Sequence, residues 1–595
     1  MCSIFGVFSA DKPLNGALNN LREASLFMKR RGPDDSGEWL SPDGKIFLAH
    51  NRLSIIDLSE NASQPMFSRD GKKVVVFNGE IYNYRDLKEK IGERYEFKTD
   101  SDTEVLLALY EVHGDDFLQM IEGMFAFCIV DLERKRILCA RDRVGEKPLY
   151  YFLNERKNLF AFASTPRALL ECGIVPREFS LENALMSFVE NFKHIAEPYS
   201  AWKGIEKLFP SEYMILDYSE GKLKPLRRFY WKPDPARYSG KSYVKDLKKA
   251  KSLLREKFVE AVDRVFVADV PVVVLFSGGV DSSLVAAVAK KILGKDVHAV
   301  VFGGNEDDEE VKRAEEMAKI LGLKLEKIFL TQGAVDTFRE ILAWYGEPVR
   351  LRQIVFSHLI YSALRERKYK VAITGNGGDE LFHGYLGNAS TVRFSKYVSP
   401  ISSVFPSFNP LLKEKVLKKR FRSELSHLAS DSELMELFRS LHGEDFDLEE
   451  LALNAWRRFL RFYSEAGEFL KFFFRRRYID FSSAFGLFFE NAHSITIVAD
   501  MVGMYSSVEV RSPFLNHNLI DLAYALHPSL KIPDPHDRTG STFKFVLKKA
   551  FEDILPPCVL NRPKMGFGYN VSENDLFTSR SLDYFAIESM SRVLG

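Results

Sequence analysis

The pattern of apolar and polar positions changes character near residue 240. Before that point, short runs rich in β-branched and aromatic residues dominate. KVVVFNGEIYNY (73–84), MFAFCIVDL (124–132) and RILCARD (136–142) read as strands. TEVLLALYEV (103–112) has helical spacing, and Ser101 and Asp102 just ahead of it are residue types that cap a helix. This predicts a strand-rich α+β unit. RFYWKPDPARYSGKSY (228–243), dense in Pro, Gly and charge, reads as a linker, and KDLKKAKSLLREKFVEAVDRVF (245–266) as a long helix.

Beyond it, strands and helices alternate. VVVLF (272–276) is an uninterrupted apolar run, as expected of a strand buried on both faces. LVAAVAKKIL (284–293) reads as a helix closed by Gly294, VHAVVF (297–302) as a strand, EEVKRAEEMAKIL (309–321) as a helix, and LEKIFL (325–330) and VAIT (371–374) as strands. That order predicts a doubly wound α/β unit around a parallel sheet. Residues 390–490 are helical by composition. Their basic clusters KEKVLKKRFR (413–422) and FLKFFFRRRY (469–478) read as amphipathic helices whose arginine stems cover apolar surface, with a partner-binding or lipid-surface helix as the alternative.

The length of 595 residues calls for two or three domains. Lys and Arg number 83 against 82 Asp and Glu, so nothing global pulls the chain toward nucleic acid or an anionic membrane. The five cysteines, Cys2, Cys128, Cys139, Cys172 and Cys558, are odd in number and form no CxxC pair. They argue against a disulfide framework or zinc ribbon and for a reducing cytosol. The N-terminus lacks the n- and h-regions of a signal peptide, and no run approaches the roughly 20 apolar residues of a membrane helix.

Strand 272–276 runs into Ser277-Gly278-Gly279-Val280-Asp281-Ser282-Ser283 and then a helix. The glycines permit close approach of backbone to ligand, helix-start amides favour an anion, and the serines add hydroxyls. Asp281 would repel a phosphate unless a cation lay between them, and magnesium suits that place. The lysine of a Walker A loop is missing. Strand VAIT ends in a second Gly-rich loop, Gly375-Asn376-Gly377-Gly378-Asp379-Glu380, where Asp379 is placed to share the same cation. At the other end of the chain, MCSIFGV puts a cysteine second. Once Met1 is removed, one residue carries a nucleophilic thiol and an α-amine that can accept its proton.

With these pieces the chain resembles the glutamine-dependent asparagine synthetases over nearly its full length. Residues 1–232 resemble a class II glutamine amidotransferase domain, an N-terminal-nucleophile sandwich. The carrying stretches are CSIFGVF (2–8), RRGPD (30–34), HNRLSIID (50–57), FNGEIYNY (77–84), TDSDTEVLL (99–107), EGMFAF (122–127) and RDRVGEKPLYY (141–151). Residues 240–595 resemble the synthetase domain, an ATP pyrophosphatase with extra helices. SGGVDSS matches its pyrophosphate loop, and DMVGMYSSVEVRSPFLN (500–516) and FKFVLKKAFEDILPPCVLNRPKMGFG (543–568) resemble later signatures.

The resemblance implies that Cys2 attacks the side-chain amide of glutamine and that Asn78 and Gly79 form the oxyanion hole. Arg52 would hold the α-carboxylate of glutamine, and Asp102, with Glu80 alongside, its α-ammonium. It implies an ATP site at Leu275, Ser277, Gly278, Gly279, Asp281, Ser282, Ser283, Val301 and Gly375, magnesium at Asp281 and Asp379, and transition-state charge stabilisation by Lys564. Aspartate would become β-aspartyl-AMP and be amidated by ammonia arriving through an internal channel. The implied partners are small molecules (glutamine, aspartate and ATP), with no nucleic acid and no membrane, in a cytoplasmic enzyme for which a homodimer is the expected assembly. Three positions depart from the pattern. Asn376 stands where the family carries a glutamate thought to act as a base, Thr165 where it carries Glu, and Asn516 where it carries Asp. Asn has no usable basicity, so a second reading keeps the machinery and changes the carboxylate acceptor.

Overall fold

The computed structural model describes residues 2–188, 193–240, 242–329, 335–394, 425–426, 428–443, 446–465, 478–563 and 579–594. The N-terminal unit stacks two six-stranded sheets whose strands pair antiparallel throughout. One sheet runs Ile205–Lys207, Tyr150–Asn154, Leu159–Ala163, Ser3–Ser9, Ile46–Arg52, Asp35–Leu40. The other runs Lys224–Phe229, Glu212–Asp217, Arg136–Arg141, Gly123–Asp131, Lys73–Ile81, Met66–Phe67.

The period-2 pattern is used on both faces. Ile4, Phe8, Leu48, Val74, Val76, Cys128, Cys139 and Phe162 meet between the sheets, while Phe5, Val7, Val75, Phe77 and Phe127 join the core shared with the helices. Strands buried on both sides explain the near-continuous apolar runs. At Gly6 a Cβ would lie 2.4 Å from the Phe162 ring and 2.8 Å from Leu48, so only glycine lets the sheets close here.

The C-terminal unit holds a five-stranded parallel sheet in the order Lys324–Phe329, His298–Gly303, Val272–Leu275, Val371–Ile373, Glu509–Arg511. Chain order reverses between Val272–Leu275 and Val371–Ile373. A topological switch point of this kind opens a crevice at the carboxyl ends of the strands, and the two Gly-rich loops leave from these two strands.

Two local readings are corrected. The helix expected over 284–293 starts at Val280, inside the Gly-rich segment, and passes at Val288–Ile292 into a wider π-helical turn. Gly279 flanks it in extended conformation, so the amides of the Asp281 turn belong to the helix start itself. The stretch 228–243 is not a free linker. It completes the strand Lys224–Phe229, forms a turn of helix at Ala236–Ser239 and is pinned by Arg237 to Asp521 at 2.8 Å. The expected helical character of 390–490 holds where described, at Leu386–Phe394, Ser432–His442, Leu448–Glu465 and Tyr478–Phe485. Cluster 413–422 lies outside the described residues, as does 469–478 apart from Tyr478. No helix among the described residues is long and apolar enough to cross a membrane.

Candidate active sites

Cys2 leads into the central strand Ser3–Ser9. Ser3 pairs with Asn51, so the same register carries Cys2 beside Arg52 on the neighbouring strand. The backbone N–H of Cys2 donates to Asn78 Oδ1 at 3.0 Å. That bond orients the Asn78 amide: its Nδ2 is buried and finds no hydrogen-bond partner among the described residues. A buried donor left unpaired is costly unless a ligand completes it. Next to it, Gly79 has φ 151°, and a Cβ there would sit 2.1 Å from the Met124 carbonyl. Position 79 is therefore glycine by necessity.

Burial pushes the Cys2 thiol up to about 11, with the Leu53 backbone and Arg52 pulling the other way. Arg52 is buried and bonded to the carbonyls of Ser59 at 2.8 Å, Ile56 at 3.3 Å and Asp57, which fixes its guanidinium against the 56–59 loop. Ser101 is the N-cap of the helix Asp102–His113, accepting from the Thr103 N–H at 3.1 Å. Asp102 is the first helical residue, and its carboxylate accepts from the Ile81 N–H at 2.9 Å. Burial raises Asp102 to about 7. Glu80 faces the C-terminal unit. Its pKa is raised well above the usual range by burial and then by Glu509 and Asp102, with Arg511 Nη2 at 3.8 Å from its Oε1.

In the second site, Ser277 and Ser282 hydroxyls lie 3.1 Å apart and the Gly279 N–H donates to Ser277 Oγ at 3.3 Å. Gly278 has φ 67°, and its carbonyl accepts from Arg562 at 3.0 Å. Ser283 Oγ is buried without a partner among the described residues. Leu275, the last residue of its strand, pairs with Val300, and Val301 follows one residue on in the adjacent strand. The second loop packs tightly on the first: a Cβ on Gly375 would lie 2.7 Å from Asp281 Cβ, and one on Gly378 2.7 Å from Asp281 Oδ1.

Asp281 and Asp379 converge on one cation of the chain itself, Lys544, whose Nζ lies 2.5 Å from Asp281 Oδ2 and 2.6 Å from Asp379 Oδ1. Burial works against that ammonium, but the two carboxylates outweigh it and hold its pKa above the usual value. The donor set fits a divalent cation, because two carboxylates converge on one cation position. Among the described residues no group of three or more His, Cys, Asp and Glu forms a metal cluster. Lys564 lies outside the described residues.

The departures have local explanations in part. Asn516 caps the helix His517–Ala525, accepting from Asn518 N–H at 2.9 Å and Leu519 N–H at 3.4 Å. Thr165 caps Pro166–Glu171 through the Ala168 N–H at 3.4 Å. The Asn376 backbone is anchored, its carbonyl accepting from Ser512 Oγ at 2.5 Å.

Four residues that join the sites escaped the sequence reading. Arg31 donates through Nε to the Cys2 carbonyl at 3.1 Å and forks onto Asp500 at 2.8 and 2.9 Å, with both side chains buried. Arg511 pairs with Glu509 at 2.6 Å and approaches Glu80. A cavity between the units is lined by Arg141, Glu146, Tyr150, Tyr345 and Asp500. All four residues stand inside motifs already noted, RRGPD and DMVGMYSSVEVRSPFLN; residue type alone did not mark them.

Residues 1–231 match the family described as "Glutamine amidotransferase domain", and residues 253–592 match "Asparagine synthase". Asparagine synthetase B [glutamine-hydrolyzing] of Escherichia coli (strain K12) is 33% identical over 590 residues, covering 96% of this chain and 82% of that protein. Asparagine synthetase [glutamine-hydrolyzing] 2 of Arabidopsis thaliana is 33% identical over 588 residues, covering 96% of this chain and 79% of that protein. Amidase chry2 of Gibberella zeae is 27% identical over 601 residues, covering 92% and 84%.

Proposed function

The chain belongs to the asparagine synthase family, and from that premise we propose that it is a glutamine-hydrolysing asparagine synthetase, with residues 1–232 as glutaminase and 240–595 as synthetase. Cys2 Sγ attacks the carboxamide carbon of glutamine while its proton passes to the α-amine left by removal of Met1. Asn78 Nδ2 and the Gly79 N–H receive the oxyanion. The departing amine takes a proton and leaves as ammonia, and water hydrolyses the thioester to glutamate. Arg52 and ionised Asp102 hold the two charged ends of the amino acid.

In the synthetase unit, Ser277, Ser282, Ser283 and the amides of Gly278 and Gly279 bind the phosphates of ATP, and Leu275 and Val301 flank the adenine. When bound, the divalent cation would be held by Asp281 and Asp379 and would offset phosphate charge. Aspartate is activated as β-aspartyl-AMP with release of pyrophosphate, and Lys564 is assigned to the developing charge. Ammonia crossing the buried Arg31–Asp500 interface displaces AMP to give asparagine. Magnesium as the cation, a cytosolic location and a homodimeric assembly belong to the same reading.

The observation that carries the first half is the unpaired Nδ2 of Asn78 beside Cys2. Cys2→Ala is expected to abolish glutamine-dependent synthesis and to keep synthesis from ammonium salts. Equal loss of both would sink the two-site scheme. Asn376 favours one second reading: the same chemistry on a different carboxylate acceptor, in which case aspartate would support no pyrophosphate release.

A further inference from the structure

The two carboxylates assigned to the nucleotide's cation are engaged by a cation of the chain itself. Lys544 Nζ lies 2.5 Å from Asp281 Oδ2 and 2.6 Å from Asp379 Oδ1, and its side chain is 6% exposed against 19% and 21% for theirs. The ammonium therefore sits behind the carboxylates, and they stand nearer the opening. Lys544 has φ 58° and ψ 30°, a left-handed conformation that side-chain-bearing residues seldom adopt, one residue ahead of the helix Phe545–Ala550. The wall opposite is cut to fit it: a Cβ on Gly384 would lie 1.8 Å from Asp379 Oδ1 and 2.4 Å from Lys544 Cε. The lysine one helical turn on, Lys548, is committed elsewhere, to the Ser541 carbonyl at 2.6 Å.

Two carboxylates from the switch-point strands cannot stand together uncompensated. We propose that Lys544 is an exchangeable counter-ion. It holds the cation position while the nucleotide site is empty and yields it to the divalent cation that arrives with the phosphates of ATP. This rests on the reading of Asp281 and Asp379 as the carboxylates that hold that cation. A free divalent cation would have to displace a buried ammonium and gain only two carboxylates. A cation arriving with the nucleotide brings phosphate oxygens for its own shell and an anionic partner for the released ammonium. Metal and nucleotide therefore bind as one event, and an empty enzyme is not poisoned by free metal.

The probe is Mn2+, its binding to the full-length, nucleotide-free protein read by electron paramagnetic resonance. The wild type is expected to hold Mn2+ weakly at this site. Lys544→Met is expected to bind it about tenfold more tightly or better, because the ammonium that competes with the dication for the two carboxylates is gone. The thermal midpoint of the variant should rise with Mn2+ where that of the wild type does not, and Lys544→Arg should behave as wild type. Unchanged or weaker Mn2+ affinity in Lys544→Met overturns the exchange. So does tight Mn2+ binding by nucleotide-free wild type that Asp379→Asn abolishes, a measurement that stands even if Lys544→Met does not fold. Should Asp379→Asn leave Mn2+ binding with a non-hydrolysable ATP analogue untouched, the assignment of the carboxylates fails first, and the exchange with it.

Discussion

Asn78 is fully buried, with one end of its amide fixed by Cys2 and the other unpaired. On the proposed role of Asn78 in the oxyanion hole, truncation to Ala removes a donor and should lower glutamine-dependent kcat by about 10²–10³-fold. Ammonia-dependent synthesis should stay near wild type, and steady-state assays with the two nitrogen sources separate these effects. Asp102 adds a pH dependence. Burial raises it to about 7, and only its ionised form attracts the ammonium of glutamine. In a Cys2→Ala background, glutamine affinity measured by calorimetry should weaken as pH falls through about 7, and Asp102→Asn should flatten that dependence. The stability sign runs the other way. A carboxylate whose folded pKa is raised favours the folded state below its unfolded pKa, and that contribution is lost as pH rises through about 7. The residues named from motifs were legible because each sits on a local pattern: a strand end, a Gly-rich turn, a helix start. Lys544 was not legible, since 263 residues separate it from Asp281 and no local period marks a lysine that folds back onto a carboxylate pair.

Among the elements, the departures at Asn516 and Thr165 reduce to helix capping. Asn and Asp cap comparably, so Asn516→Asp should leave stability nearly unchanged. Asn516→Ala should cost about 1 kcal/mol, and thermal melts of the two variants would show the contrast. Strand positions followed from apolar runs, and the helices Glu309–Leu321 and Leu247–Val265 from their 3.6-residue period. The helix starting at Val280 was read four residues late because its first turn carries the serines and aspartate that also read as loop. The stretch 228–243 misled for the opposite reason. Pro and Gly mark where a chain turns, but its ordering comes from tertiary anchors such as Arg237 on Asp521, which composition does not record.

Across the whole molecule, Arg31 ties the Cys2 backbone to Asp500 of the synthetase unit by a fully buried fork. Lys370 adds a second tie, to Asp34 at 2.7 Å. Breaking a buried pair from one side costs about 3–5 kcal/mol, because the remaining charge stays buried. Arg31→Met should therefore lower the thermal midpoint. It should also lower the asparagine formed per glutamate released, as ammonia escapes a loosened interface. An unchanged ratio would remove this pair from the coupling of the sites. The central claim is that one chain moves the amide nitrogen of glutamine onto aspartate at the expense of ATP. The most direct measurement supplies Mg-ATP, aspartate and glutamine labelled with heavy nitrogen in its side-chain amide, in excess unlabelled ammonium, and follows products by mass. The expected result is asparagine carrying the label, formed in step with AMP and pyrophosphate. Labelled ammonia and glutamate without labelled asparagine, or ADP in place of AMP, would contradict it.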